Sequence, residues 1–339
     1  MKHPVNNPVP VQKKSEITDT TISQPASEPN TNEMANTSTQ DWRGWISGFI
    51  GVVIFAGSLP ATRLAVMEID PIFLSAARAS IAALVSGVVL LCIKQPLPTK
   101  SDLPALMMVA FGVVIGFPLF SALALQYVTS AHAIVFLGIL PLCTAIFAVW
   151  RGGERPSKQF WLFSVLGSVC VMGYALFSNS SVILTSVNGT HKALLGSLLM
   201  LVAVLTCGLG YAEGGRLSRT LGGWQVISWA LLLSAPMMLL LAWWTLPNNL
   251  QQISMSAWAG LLYVSLFSMF IGFVFWYRGL ALGGIAAVGQ LQLLQPFMGL
   301  ALAALLLHET VSFAMLISTL GAVLCVMGAK KEAKRGAKK

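Results

Sequence analysis

The chain has 339 residues, 56% hydrophobic and only 10% charged, with a formal net charge of +9 and a mean hydropathy of +0.76. A soluble domain carries about 25% charged residues, so this composition excludes a soluble fold for most of the chain. Lipid leaves a backbone only helices or a closed barrel, and apolar stretches that run on without alternating point to spanning helices.

Residues 1–41 are rich in Ser, Thr, Asn, Pro and Gln, without periodicity. They read as a disordered cytoplasmic tail and lack the basic-then-apolar layout of a cleaved signal peptide. From Trp42 onward about ten apolar segments follow, at about 43–66, 71–93, 103–127, 130–150, 158–177, 193–217, 222–244, 256–279, 283–307 and 311–329. Pro or Gly marks their joints, as at Pro71, Pro104, Pro156 and Gly222–Gly223. A basic cytoplasmic tail, 330–339, closes the chain with Lys330, Lys331, Lys334, Arg335, Lys338 and Lys339. Such a cluster holds a helix end at anionic headgroups of the lipid bilayer. It has no interleaved aromatic residues, so no nucleic-acid partner is expected.

Charge asymmetry sets the orientation. Arg43, Lys94, Lys100, Arg151, Arg155, Lys158, Arg216, Arg219, Arg278 and the terminal cluster fall on one side, against Arg63 and Lys192 on the other. By the positive-inside rule both termini are cytoplasmic, in a multi-pass protein of a bacterial inner (plasma) membrane. The five cysteines, Cys92, Cys143, Cys170, Cys207 and Cys325, lie in apolar segments without metal-ligand spacing and read as packing residues. Neither a cofactor nor a metal is expected.

A Cys-Val-Met-Gly string occurs at Cys170–Gly173 and again at Cys325–Gly328, an offset of 155 residues (325 − 170 = 155). Pro141 and Pro296 keep that offset, as do Glu154 and Glu309. The chain is thus an internal duplication, with repeats at 42–178 and 192–329. Five helices per repeat is an odd number, so the second repeat enters the membrane inverted. The expected fold is an all-α polytopic membrane protein of about ten transmembrane helices in two inverted five-helix repeats. Such a build places a pocket near the midplane, between halves that rock against each other.

Several strings carry a family likeness. They are Phe73-Leu-Ser-Ala-Ala-Arg-Ala with Arg78, Leu125-Gln-Tyr-Val-Thr-Ser-Ala131 ahead of Pro141, and Gly153-Glu154-Arg155. The second copy reads Trp276-Tyr-Arg-Gly-Leu280, Pro296, His308-Glu309-Thr310 and Gly321 to Gly328. Over about 43–329 the chain resembles the drug/metabolite transporter superfamily in its ten-helix, two-repeat EamA branch. The resemblance implies a carrier of small metabolites, often an exporter of amino acids or related compounds, working by alternating access. The small four-helix multidrug members of that superfamily use a glutamate in the first helix. Here Ile46 to Pro60 carries no charge, so proton-coupled drug antiport by that mechanism is not implied.

An ionisable group at membrane depth is a functional candidate. Every carboxylate lies in a tail or at or near a helix end, among them Glu68, Asp70, Asp102, Glu154, Glu213 and Glu309. No central carboxylate relay is expected. Arg78 stands about 10 Å along its helix. It either attracts a substrate carboxylate or serves the structure by snorkelling. In the ninth segment Gln292 and Gln295 are three apart and share a helical face, whereas Gln290 points elsewhere. Their counterparts in the first repeat, Val135, Leu137 and Leu140, are apolar. Amides that donate and accept without a charge suit a neutral or zwitterionic ligand, against a plain role in interhelical hydrogen bonding.

Tyr211 is a weaker cavity candidate. Trp276 and Tyr277 read either as cavity-lining or as an interfacial aromatic belt. His132 reads as a group that titrates during transport or as a solvated helix cap. Glu154 and Glu309 read as structural charges at helix starts, and Glu213 with Arg216 as a pair on one face. Gly44/Gly48, Gly112/Gly116 and Gly210/Gly214 permit close helix approach.

The expected function is secondary transport of a small neutral or zwitterionic metabolite, such as an amino acid, as an exporter. A multidrug or toxic-compound exporter is the main alternative, and a non-transporting sensor or scaffold a remote one. An intramembrane enzyme would need a nucleophile–base or metal motif that the sequence does not contain. The expected partners are a small-molecule substrate and the bilayer, with a homodimer left open.

Overall fold

A computed structural model describes residues 31–124, 127, 136–178, 190–307 and 313–336. Every element among them is a helix. The first span is split into α1 (Thr31–Ala56) and α2 (Ser58–Val66). The helix α1 begins inside the stretch that the sequence assigns to the tail. Next come α3 (Pro71–Cys92), α4 (Leu103–Ala124), α5 (Leu140–Gly152), α6 (Lys158–Ser178), α7 (Thr190–Leu217) and α8 (Gly223–Trp244). The long α9 (Met255–Gly283) follows, then α10 (Ile285–Gly289), a 3₁₀ segment (Gln290–Leu294), α11 (Gln295–Leu307) and α12 (Phe313–Gly336).

Among the described residues, α3, α4, α8, α9 and Leu194–Leu217 of α7 are each long and apolar enough to cross a bilayer. Trp42–Ala56, α5 and Lys158–Gly173 are shorter apolar helices. Two of the spans are interrupted locally. The first span breaks at Gly57, and the ninth breaks ahead of Pro296. Large apolar side chains project outward, including Leu84, Val88 and Leu91 on α3 and Leu240, Trp243 and Trp244 on α8. In a lipid-solvated bundle that surface faces acyl chains, and a Trp pair at a helix end suits the headgroup boundary.

The duplication is visible in the helix boundaries themselves. Leu140, which opens α5, and Gln295, which opens α11, are 155 residues apart (295 − 140). Both α4 and α9 carry a π-helical stretch at nearly matching positions, Ala110–Gly116 and Val264–Ile271. Such wide turns are uncommon and tend to sit at functional positions. The second is stitched to the broken first span. Ser58 Oγ donates to Ser268 Oγ at 2.7 Å, and the Tyr263 hydroxyl donates to the Ile54 carbonyl at 3.0 Å.

Packing pairs the repeats. The helix α1 lies along α9, α3 along α8, α5 along α7, and α6 along α12. Glycines set the closest approaches. Gly44 touches the Gly283 backbone, Gly48 and Gly279 meet, and Gly112 sits on the backbone of Thr206 and Gly210. Lys330, at the end of the apolar part of α12, places its ammonium 4.6 Å from the centre of the Trp45 ring, a cation–π contact that ties the end of the bundle to α1.

A Cβ added at Gly112 would stand 2.6 Å from the Thr206 carbonyl oxygen and 2.9 Å from Gly210 Cα. Both are backbone atoms and cannot swing aside. Gly112→Ala is expected to destabilise the folded protein by about 1–3 kcal/mol, read as a lower unfolding temperature in detergent.

Candidate functional site

The ninth span is broken where its glutamines lie. Pro296 has no N–H to give to the Gln292 carbonyl, and its ring would crowd that carbonyl in an α-helix. The chain tightens instead, and Gln295 N–H closes on the Gln292 carbonyl in a 3₁₀ turn. Gln290, Leu291, Gln292 and Leu293 are all buried, with Gln290 fully enclosed. Gln290 lies in the same buried turn as Gln292. Gln295, at the start of α11, is only half-buried.

These amides are poorly satisfied. Neither Gln292 Nε2 nor Gln292 Oε1 has a hydrogen-bond partner. Gln290 Nε2 makes one long bond of 3.5 Å to the Ala286 carbonyl, and its Oε1 has none. A buried unpaired amide costs about 1–3 kcal/mol, so two side by side need a reason.

Beside them lies an aromatic cluster. Tyr211 of α7 is buried, and its ring centre is 5.4 Å from Trp276 and 5.9 Å from Phe273. Its hydroxyl stands against the Cys207 thiol and the Gln292 amide, although the amide completes no bond. Trp276 is wholly buried, with its indole Nε1 unpaired, and Phe55 of α1 packs on it at 6.1 Å. Tyr277 is equally buried, and its hydroxyl donates to the Gly210 carbonyl at 3.2 Å. The aromatic-belt expectation for Trp276 and Tyr277 is thus corrected. Both face inward, and Gly214 on α7 leaves space for the Tyr277 ring.

Arg78 of α3 reaches the same region. Its guanidinium lies within electrostatic range of Tyr211, and its Nε is enclosed without a partner. No hydrogen bond or ion pair to Arg78 occurs among the described residues. The structure therefore brings Arg78, Tyr211, Trp276 and Gln292 together from four different helices, with Gln290 in the adjoining turn. His132 lies outside the described residues.

Charged groups join the elements at one end of this cluster. Glu154 Oε1 accepts from Ile285 N at 2.7 Å and from Arg219 Nη2 at 2.6 Å, while its Oε2 accepts from Ala286 N at 2.8 Å. The carboxylate does cap a helix start, but that helix is α10 in the other repeat rather than the next one along the chain. Gly153 and Gly284, both at positive φ, shape the two turns that meet there. Glu213 is fully buried and pairs with Arg216, as its spacing implies, and also with Arg151 of α5 at 2.9 Å. The Arg151 contact crosses between repeats and leaves no mark in the sequence.

At another loop cluster Glu68 accepts from Ser254 N at 2.6 Å and from Ser254 Oγ at 2.7 Å. It borders an open pocket of about 420 Å³ with Pro247, Asn248, Asn249 and Gln252. The backbone and hydroxyl bonds from Ser254 hold the Glu68 carboxyl below its ordinary value. A carboxyl lowered on folding stabilises above its unfolded pKa, near 4.3. That contribution is lost as pH falls through the lower folded value. Glu68→Gln is accordingly expected to lower the unfolding temperature at neutral pH, and the gap from the parent protein should close in strong acid. A gap that persists below pH 3 would show that charge is not its source.

The EamA-like transporter family matches residues 42–177 and 194–329. An "Uncharacterized transporter YdeK" of Bacillus subtilis (strain 168) is 58% identical over 291 residues, covering 86% of this chain and 98% of that protein. A second, "Uncharacterized transporter YvbV" of the same organism, is 21% identical over 291 residues, covering 84% and 92%. A solved crystal structure aligns with a TM-score of 0.69 over 86% of this chain and 98% of the other, at 18% identity, and so speaks for the fold alone. With both repeats matched and a relative of this similarity spanning nearly its whole length, the chain belongs to the EamA-like transporter family.

Proposed function

We propose that this EamA-type transporter carries a small neutral or zwitterionic metabolite, such as an amino acid, and exports it across the bacterial inner membrane by alternating access. The observation that carries the reading is Gln292, nearly fully buried with both amide atoms unpartnered. A packing glutamine in lipid would pair with a neighbouring helix. An amide left open beside Tyr211 and Trp276 is suited to a ligand that both donates and accepts. Two repeats closed across by Glu154 and by Arg151–Glu213 supply halves that can part at one end. Both termini lie in the cytoplasm on this reading.

The aromatic cluster around Trp276 favours a second reading, export of bulky drugs, which a ring-lined interior would also hold. One experiment addresses both. Metabolites inside and outside the cell are compared between cells that lack and cells that overproduce the protein, alongside drug tolerance. Metabolite export predicts a neutral or zwitterionic compound that accumulates inside on deletion and outside on overproduction. A change in drug tolerance alone would favour the second reading, and no change in either would remove both.

A further inference from the structure

We infer that Arg78 is the anchor for an anionic group of the cargo, so that the transported compound bears a carboxylate or an equivalent acid. This rests on the carrier reading above and narrows it to one substrate class.

The argument begins with what Arg78 lacks. A guanidinium has five donors and stays charged, and its burial is costly without a partner. A structural arginine in a helix bundle meets that cost with a carboxylate, a helix-end carbonyl or the headgroup region. Arg78 has neither a carboxylate nor a carbonyl partner among the described residues, and it is half-buried. Its Nε is enclosed and unpaired, and it stands about 10 Å along α3 from Pro71.

Carboxylates on and beside the same elements are engaged elsewhere. Asp70 caps α3 at Ile72 and Phe73, Glu68 binds Ser254, and Glu213 is held by Arg151 and Arg216. The groups that Arg78 does face are neutral. It lies in electrostatic range of Tyr211, whose hydroxyl stands against Gln292. A positive charge without its counter-ion thus sits at one side of a cluster whose other members are open amides and aromatic faces.

The repeat gives an independent indication. Here α3 and α8 begin 152 residues apart (223 − 71), so the position matching Arg78 is the buried Ala230 (78 + 152). A charge serving the shared architecture would have use in both halves. Arg78 is instead confined to one half, like the glutamines. An unpaired fork favours planar, bidentate acceptors such as a carboxylate. With the acid held there, the open amide of Gln292 and the ring faces of Tyr211 and Trp276 are left for the rest of the molecule. An ammonium group fits such faces, which is how an overall neutral zwitterion is accommodated. A purely cationic drug would instead meet a like charge.

The test uses the compound whose level depends on the protein in the deletion and overproduction comparison, reconstituted in proteoliposomes with the purified full chain. Transport of that acid is measured against its primary amide for the parent protein, Arg78→Gln and Arg78→Lys. Thermal unfolding in detergent confirms that each variant is folded. The expected result is that kcat/KM for the acid falls about tenfold or more in Arg78→Gln, the scale of one lost charge-assisted pair. The amide should change less than about threefold, and Arg78→Lys should lie between, with the loss chiefly in KM.

An equal loss for acid and amide, or no loss for either, would mark Arg78 as structural and overturn the inference while leaving the carrier reading intact. A dependent compound that carries no acidic group would do the same. If no compound depends on the protein at all, the carrier reading fails and this inference falls with it. Should Arg78→Gln prove unfolded, the acid-to-amide ratio of Arg78→Lys decides. A ratio equal to the parent's overturns the inference, and a reduced one supports it.

Discussion

Gln292→Leu should abolish most transport without weakening the fold. Neither amide atom of Gln292 completes a hydrogen bond, although the Tyr211 hydroxyl stands against it, so the substitution removes at most one weak polar contact. It does remove the desolvation cost of an unpaired buried amide, about 1–3 kcal/mol. Leucine is close to glutamine in volume, and Leu291 and Leu293 flank the site, so packing is preserved. The unfolding temperature is therefore expected to stay level or rise. Transport should move the other way, with kcat/KM for the cargo falling about tenfold or more as one or two ligand hydrogen bonds are lost. Most buried polar substitutions lose stability and activity together, so this divergence is diagnostic. Unchanged transport kinetics for an identified cargo would return Gln292 to a packing role. Gln295→Leu, at a half-buried position, is expected to have the smaller effect.

Glu213→Ala should produce the largest loss of stability. Glu213 is fully buried and neutralises two arginines from different repeats, Arg151 and Arg216. Removing one partner from a buried ion pair typically costs about 3–5 kcal/mol. Here the arginine side chains remain 34% and 40% exposed, so water recovers part of that loss and about 2–3 kcal/mol is expected. Unfolding temperature in detergent is the direct reading. Because the two arginines share one carboxylate, Glu213→Ala combined with Arg151→Ala should cost less than the sum of the separate changes. Strict additivity would mean that the Arg151–Glu213 contact carries no coupling between the repeats.

Much of the fold is legible in the residue order. Continuous apolar runs mark the spans, and the 155-residue offset read from Cys170 and Cys325 reappears in helix starts at Leu140 and Gln295. Gly112 and Gly210 read as close-approach residues and do touch. Glu213 and Arg216 read as neighbours on one face and do pair. Each of these signals is local, fixed by spacing along a single helix. The cluster was only half legible. Gln292 and Arg78 are conspicuous as polar residues in apolar runs, but Phe55, Phe273 and Cys207 look like any other packing residue. Tyr277 resembles a residue of the interfacial belt until the Gly214 backbone beneath its ring is seen.

By itself the sequence determined that this chain is a duplicated helical membrane protein, kept its carboxylates at or near helix ends, and placed three glutamines in one half alone. Preference for lipid over water is a property of each segment, so it can be read segment by segment. Tertiary structure alone decided that Arg78, Tyr211, Trp276 and Gln292 share one interior, and that Glu154 caps a helix of the opposite repeat. Lipid is as apolar as the helix surfaces it bathes, so hydropathy does not select which face meets which. Glycine contacts, the 3₁₀ turn ahead of Pro296 and a few ion pairs make that choice, and they act between residues far apart in the chain.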